Sequence, residues 1–146
     1  MHLSIENSRK IALAYSAVCK PLCKELGLPQ TAFDILMFLG NNPRYKTACE
    51  IVEIRCIKAN LVSVNVERLV RDGYLVRRPA EDDRRKTELK CTEKAEPVIA
   101  RGQRLQSEFV ERLFADMPAD TRRAFSEAMC IIEKNLNEIL EESTRS

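Results

Sequence analysis

Residues 47–92, TACEIVEIRCIKANLVSVNVERLVRDGYLVRRPAEDDRRKTELKCT, concentrate side chains suited to recognition rather than to bond-making. Asn60 carries an amide that can pair bidentately with adenine. Ser63 can bond either type of base, and Leu61 and Val64 offer apolar surface for a thymine methyl. Lys58, Arg68 and Arg71 are cations placed for phosphates, and the Thr47 hydroxyl could donate to another. Farther on, Asp83-Arg84-Arg85 sets two guanidiniums beside a carboxylate. Arg84 suits a minor groove, whose negative potential attracts guanidinium. Asp83 would be repelled by phosphate, so it suits holding Arg85, or another wing arginine, in a charge-assisted bidentate pair.

The chemistry of catalysis is thin by comparison. The one histidine is His2, at the chain start, so no acid–base or nucleophile pair involving histidine can be assembled. The four glycines do not fall at the spacing of a phosphate loop. Asp82-Asp83 and Glu141-Glu142 read as solvated charges. These features argue against an enzyme and against any cofactor. Six cysteines contain no Cys-x-x-Cys, and zinc sites usually draw on histidine beside cysteine, so no metal is expected. Cys19 and Cys23 form the one suggestive pair. They stand four apart with Pro21 between them, and Lys20 and Lys24 beside them could lower a thiol pKa. A redox switch at these two is the sharp reading, and two small core residues the plainer one.

The elements that must position the recognition set can be read from periodicity. Thr47 with Glu50 forms a capping box that opens a short helix to about residue 54. A tight turn over 55–57 follows. Val62, Val66, Leu69 and Val70 then mark one face of a second helix, which Gly73 stops. The opposite face holds Asn60, Val64, Glu67 and Arg71. Beyond Gly73 two short extended runs, 74–78 and 86–91, flank a charged hairpin. Helix, turn, helix and hairpin make a winged helix-turn-helix, a shape that puts one helix in a DNA major groove.

This stretch resembles the DNA-binding domain of the multiple-antibiotic-resistance regulator (MarR) family of bacterial transcription factors. The resemblance rests on Arg68-Leu69-Val70-Arg71-Asp72-Gly73-Tyr74, on Asp83-Arg84-Arg85, and on Cys91-Thr92-Glu93-Lys94. The chain departs from the family at Cys91 and Ala95, where leucine and glycine are usual, and at Val64, where many members carry arginine. The resemblance implies a sequence-specific regulator, most plausibly a repressor on a pseudo-palindromic operator, that dimerises through both terminal helices. It also implies Asp83 as the residue that holds the wing together. Similar proteins leave DNA when a small, often phenolic or lipophilic, molecule binds between the dimer helices and the DNA-binding lobe; others respond to thiol oxidation or metal. Tyr15, Cys19, Phe33, Met37 and Ile99 are the candidates here for lining such a pocket. A winged helix that docks proteins rather than DNA is the main rival.

The rest of the chain fits a mainly α fold with a small β-wing. A first helix spans about 5–26, with Pro21 expected to kink or divide it. A second covers about 30–39. Beyond the wing, Thr92 can cap a long helix reaching about 116, whose regular part starts at Pro97. Pro118 opens a last helix, and 141–146 should fray. Residues 1–40 and 95–146 read as a helical dimerisation region, and 41–94 as the DNA-binding lobe, in one compact domain. Between Arg44 and Lys94 there are 13 Lys and Arg against 9 Asp and Glu, a net of +4; from Glu111 onward the balance is 5 against 8, a net of −3. That asymmetry suits a polyanion at the middle only. No run approaches the ~18 apolar residues of a membrane span, and the N-terminus lacks a signal-peptide core, so the expected location is cytoplasmic.

Overall fold

The most apolar helix in the chain is the second, and the core is built round it. A computed structural model describes residues 5–145, with side chains from 6 to 144; His2 lies outside the described residues. Two compact units are present, one running through Phe109 and the other from Val110. In the first, α1 (Ile5–Leu26), α2 (Gln30–Asn41), α3 (Ala48–Arg55) and α4 (Ala59–Arg71) precede a hairpin, β1 (Leu75–Pro79) and β2 (Thr87–Cys91). α5 (Ala95–Leu113) leaves it, and α6 (Ala119–Arg145) belongs to the second unit. This is the winged helix-turn-helix expected, six helices and a two-stranded antiparallel wing.

α2 buries Ala32, Phe33 and every residue from Ile35 to Leu39. Helical periodicity alone would place only one face inside, and α2 buries more because α1, α4, β2 and α5 surround it. Its approach to α5 depends on two missing side chains. A Cβ on Gly40 would lie 2.8 Å from the Ile99 methyls, and one on Gly102 would collide with Met37 and press the Phe33 ring at 3.1 Å.

Several boundaries differ from the sequence reading. α1 is not divided at Pro21. Cys19, Leu22 and Cys23 are all buried on either side of it, and that packing outweighs the lost backbone donor. α5 starts two residues before Pro97, whose missing N–H falls in the first turn, where no intrahelical partner exists anyway. It ends at Leu113, short of Asp116, which takes a left-handed φ of 61°. Thr92 does not cap α5 with its hydroxyl, which turns back to the Gly73 and Tyr74 carbonyls at 2.7 and 3.3 Å. Residues 141–145, expected to fray, continue α6. Among the described residues no helix is long and apolar enough to cross a membrane.

In the second unit, Phe114 and Phe125 meet edge to face at 5.4 Å, and Arg122 lies 5.1 Å over Phe114 while pairing with Glu111 at 3.1 Å. None of the described side chains of α6 is buried, although Phe125, Met129, Leu136, Ile139 and Leu140 run down it.

The junction between α4 and the wing is a complete Schellman turn. Tyr74 N–H donates to the Leu69 carbonyl at 2.8 Å and Gly73 N–H to Val70 at 3.1 Å, with Gly73 at φ 82°. Gly73→Ala forces a side chain into that left-handed conformation and should cost about 1–2 kcal/mol. Urea denaturation of the two proteins at matched concentration measures the difference.

Candidate nucleic-acid interface

The exposed side of α4 begins at Lys58, its N-terminal cap residue, which makes no capping side-chain bond and stands in solvent. Asn60, Leu61, Ser63 and Val64 follow, all exposed, with Val64 at 67% and Leu61 at 46%. Two large apolar side chains held in water beside an amide and a hydroxyl are costly to solvate and suited to base edges. The reverse face anchors the helix: Val62, Val66 and Leu69 are buried, and Asn65 bonds back to the Leu61 carbonyl at 2.8 Å. The turn before α4 relies on Cys56, which holds a left-handed φ of 51° without being glycine.

The wing is fastened at three places. β1 and β2 pair from Leu75↔Cys91 to Pro79↔Thr87. On the other edge of β2, Leu89 N–H donates to the Lys46 carbonyl at 2.6 Å, tying the wing to the start of α3. At the base, Lys94 Nζ donates to the Asp72 carbonyl at 2.6 Å and sits 4.7 Å over the Tyr74 ring. At the tip, Lys86 N–H reaches the Asp83 carbonyl at 2.9 Å, which makes Arg84 and Arg85 the central residues of a β-turn. Asp83 Oδ1 accepts from the Arg85 backbone N–H at 3.0 Å and from Arg85 Nε at 3.3 Å. The pairing is therefore through one oxygen rather than bidentate. The Arg85 side chain is 92% exposed, so its ion pair adds little and the backbone bond of this Asx turn sets the shape. Arg84 has no hydrogen bond or ion pair among the described residues and points its charge to solvent.

Three residues assigned to phosphate have other partners, the weakest case being Arg71, whose exposed side chain lies 3.5 Å through Nε from Asp72 Oδ1. Arg68 Nη2 donates to the Gly27 carbonyl at 2.8 Å, bridging α4 to the α1–α2 turn, and its Nε is buried 3.7 Å from Asp72. The Thr47 hydroxyl accepts from Glu50 N–H at 3.2 Å and gives its proton to the Glu50 carboxylate at 3.0 Å. The Lys46 and Thr47 backbone donors hold that carboxylate below its usual pKa range. The capping box thus engages the hydroxyl that a phosphate would need. A residue the periodicity missed is Arg77. From β1 it pairs with Glu67 on α4 at 2.8 Å, an exposed pair that neutralises the one acid on the outer face of that helix. Its only signal in the sequence was a basic residue in a strand.

The sequence profile of the MarR family matches residues 26–86, from the end of α1 to the tip of the wing. Over that stretch the winged helix of this chain is similar to the MarR family. Solved structures extend the likeness in fold to most of the chain. A MarR transcriptional regulator from Methanosarcina mazei Go1 superposes with TM-score 0.76 at 21% identity, over 92% of this chain and 96% of that one. A putative MarR family transcriptional regulator from Listeria monocytogenes, complexed with 26mer DNA, gives 0.80 at 17% identity over 94% and 91%. The transcriptional regulator SlyA gives 0.78 at 18% over 94% and 96%. No curated protein matches the sequence.

Two clefts bear on the pocket candidates. One, of about 360 Å³, opens between α1, α2, the end of α3 and α5, and takes in Tyr15 and Met37 from the pocket candidates. Cys19 and Phe33 are not on its surface; both are fully buried beneath it. Ile99 packs on Gly40 and faces the second cleft instead, about 600 Å³ behind the wing. Tyr15 accepts a hydrogen bond from Gln106 at 2.9 Å, and burial pushes its hydroxyl pKa up.

The cysteine pair lies in the core. Burial raises the Cys19 thiol and pushes Cys23 up to about 11, whereas Lys20 and Lys24 stand in solvent. Thiols held protonated and shielded are poor nucleophiles. Cys49, Cys56 and Cys130 are exposed. Under native conditions at neutral pH, iodoacetamide should label these three well before Cys19 and Cys23, with peptide mass mapping to read the order. Early labelling of Cys19 or Cys23 would reverse this assignment of reactivity.

Proposed function

We propose that this chain is a homodimeric, sequence-specific DNA-binding regulator of transcription, a repressor that leaves a pseudo-palindromic operator when a small molecule occupies the cleft beside Tyr15 and Met37. The observation that carries the DNA reading is the solvent-facing set Asn60, Leu61, Ser63 and Val64 on the first turns of α4, beside a wing whose tip presents Arg84 and Arg85. Both lie on a scaffold that the Schellman turn and the β1–β2 pairing hold together. Residues 41–94 form the DNA-binding lobe in this reading, and 1–40 with 95–146 the dimerisation region. The Listeria protein complexed with 26mer DNA supports it at the level of fold.

The exposed apolar residues of the terminal helices support dimerisation. Phe125, Met129, Leu136, Ile139 and Leu140 recur on α6 at helical spacing, and Ile11 and Leu13 stand in solvent on α1. A 27-residue helix with none of its described side chains buried gains little from its own protomer. A second copy would cover it.

Arg84→Ala should weaken binding to operator and to scrambled duplex alike and flatten the salt dependence by about one unit of slope. Asn60→Ala should cost about 1–3 kcal/mol at particular base pairs and leave scrambled DNA little changed. Fluorescence anisotropy across a salt series separates the two. A protein-docking winged helix would show little affinity for duplex DNA and no such slope. Leu136 is 53% exposed, so Leu136→Asp should leave the protomer folded while shifting it to monomer by sedimentation velocity. A wild-type monomer that still binds operator tightly at micromolar concentration would overturn the dimer.

A further inference from the structure

The cleft between α1, α2, α3 and α5 has a chemical character that narrows what can occupy it. Three aromatic rings line it: Tyr15 from α1, Phe38 from α2 and Phe109 from α5. Tyr15 and Phe109 meet edge to face at 5.5 Å. Among them stands one carboxylate, Asp34. Gln30 Nε2 donates to its Oδ1 at 2.8 Å, while Oδ2 takes no hydrogen bond from the described residues. Among the described residues the one cation at the cleft is Arg55, at the end of α3. It makes no ion pair with Asp34 within 4 Å and lies 6.0 Å over the Phe38 ring. Desolvation outweighs both Gln30 and Arg55 at Asp34 and raises its pKa. The cleft therefore holds an under-compensated negative charge among three aromatic rings, one of which, Phe38, stacks on Tyr45 at 5.3 Å and already draws a guanidinium.

We propose that this cleft is a receptor for an organic cation, a quaternary or tertiary ammonium on an aromatic or branched apolar body, with its charge at Asp34 and its body against Tyr15, Phe38 and Phe109. Ring faces attract such cations within about 6 Å of the centroid, most strongly where water is excluded. A neutral apolar molecule would desolvate Asp34 further while offering its charge no counter-charge, and an anion would meet its repulsion directly. The bound cation competes with Arg55 for the Phe38 face and for the field of Asp34. Arg55 is thereby pushed outward at the end of α3, one residue before the Cys56 turn that leads into α4. The proposal rests on the reading of this cleft as the effector site and names the class of effector.

Ligand-observed NMR titrations test it with three probes of one shape class: phenyltrimethylammonium, its uncharged isostere tert-butylbenzene, and benzenesulfonate. The cation should bind at least about tenfold more tightly than either of the others. Asp34→Asn keeps the side-chain shape and the acceptor for Gln30, and should abolish the preference while leaving tert-butylbenzene unchanged. Because it removes a desolvated charge, its melting temperature should not fall. Phe109→Leu, a second variant, should weaken the cation more than the neutral probe. Equal affinity for cation and isostere overturns the proposal. So does a preference for benzenesulfonate, which would make Arg55 the recognising group, or cation binding untouched by Asp34→Asn. Operator affinity measured with saturating cation separates this from the wider reading. Asp34-dependent binding without release of DNA upholds the cation site and overturns the effector role.

Discussion

The left-handed turn at Gly73 decides where the wing can be. α4 must stop there, because its last carbonyls are taken by Tyr74 and Gly73 rather than by further helix. The chain leaving the turn enters β1 directly, and the chain returning from β2 closes on the same spot. Thr92 binds the Gly73 and Tyr74 carbonyls, and Lys94 binds the Asp72 carbonyl and covers the Tyr74 ring. Carbonyls from one helix end are thus satisfied by residues about twenty positions later. That gives a physical reason for the Thr-Glu-Lys segment after the wing: it locks the exit of the hairpin to its entrance. The two surfaces proposed to face DNA, α4 and the Arg84–Arg85 turn, inherit their spacing from this lock.

Local chemistry was legible where it depends on neighbours in sequence. The capping box at Thr47, the stop at Gly73, the stripe of Val62, Val66 and Leu69, and the bounds of α1 all follow from patterns within one or two turns of helix. What could not be read is what depends on distant partners. Arg68 sits on the flank of α4 by periodicity, yet its side chain reaches a carbonyl 41 residues away. Arg77 looks like one more basic strand residue until Glu67 is beside it. The undivided α1 belongs to the same class, since Pro21 is tolerated only because residues on both sides of it are buried against α2. Thr47 shows a different limit. Its capping role was visible, but that role consumes the proton that a phosphate contact would need.

Burial also separates two uses of the same residue type. Cys19 and Cys23 fill the α1–α2 interface, where a thiolate would be desolvated, so their pKa values rise. Leu61 and Val64 are held in water by a helix whose other face is fully committed to the core. Hydrophobicity alone ranks all four as interior. The fold places two inside because their helix face is wanted there and leaves two outside because theirs is not.

The two ends of α3 explain how a signal at the cleft could reach the reading face. Its first turn is tied to the wing through the Lys46 carbonyl and Leu89, and its last residue, Arg55, borders the cleft. Between Arg55 and Lys58 lies only the turn at Cys56, in a backbone conformation that a non-glycine residue adopts at a cost. A short connection of that kind absorbs little displacement, so in the proposed function a shift at the end of α3 passes to the start of α4. Lys58 and Asn60 are the first residues to receive it. The turns proposed to contact bases therefore lie at the end of α4 next to Arg55, whereas Val66 and Leu69, buried and nearer the Gly73 lock, anchor the far end in the core. A helix pinned at one end and driven at the other tilts, and a tilt of the N-terminal turns is the displacement to which bidentate base contacts are most sensitive.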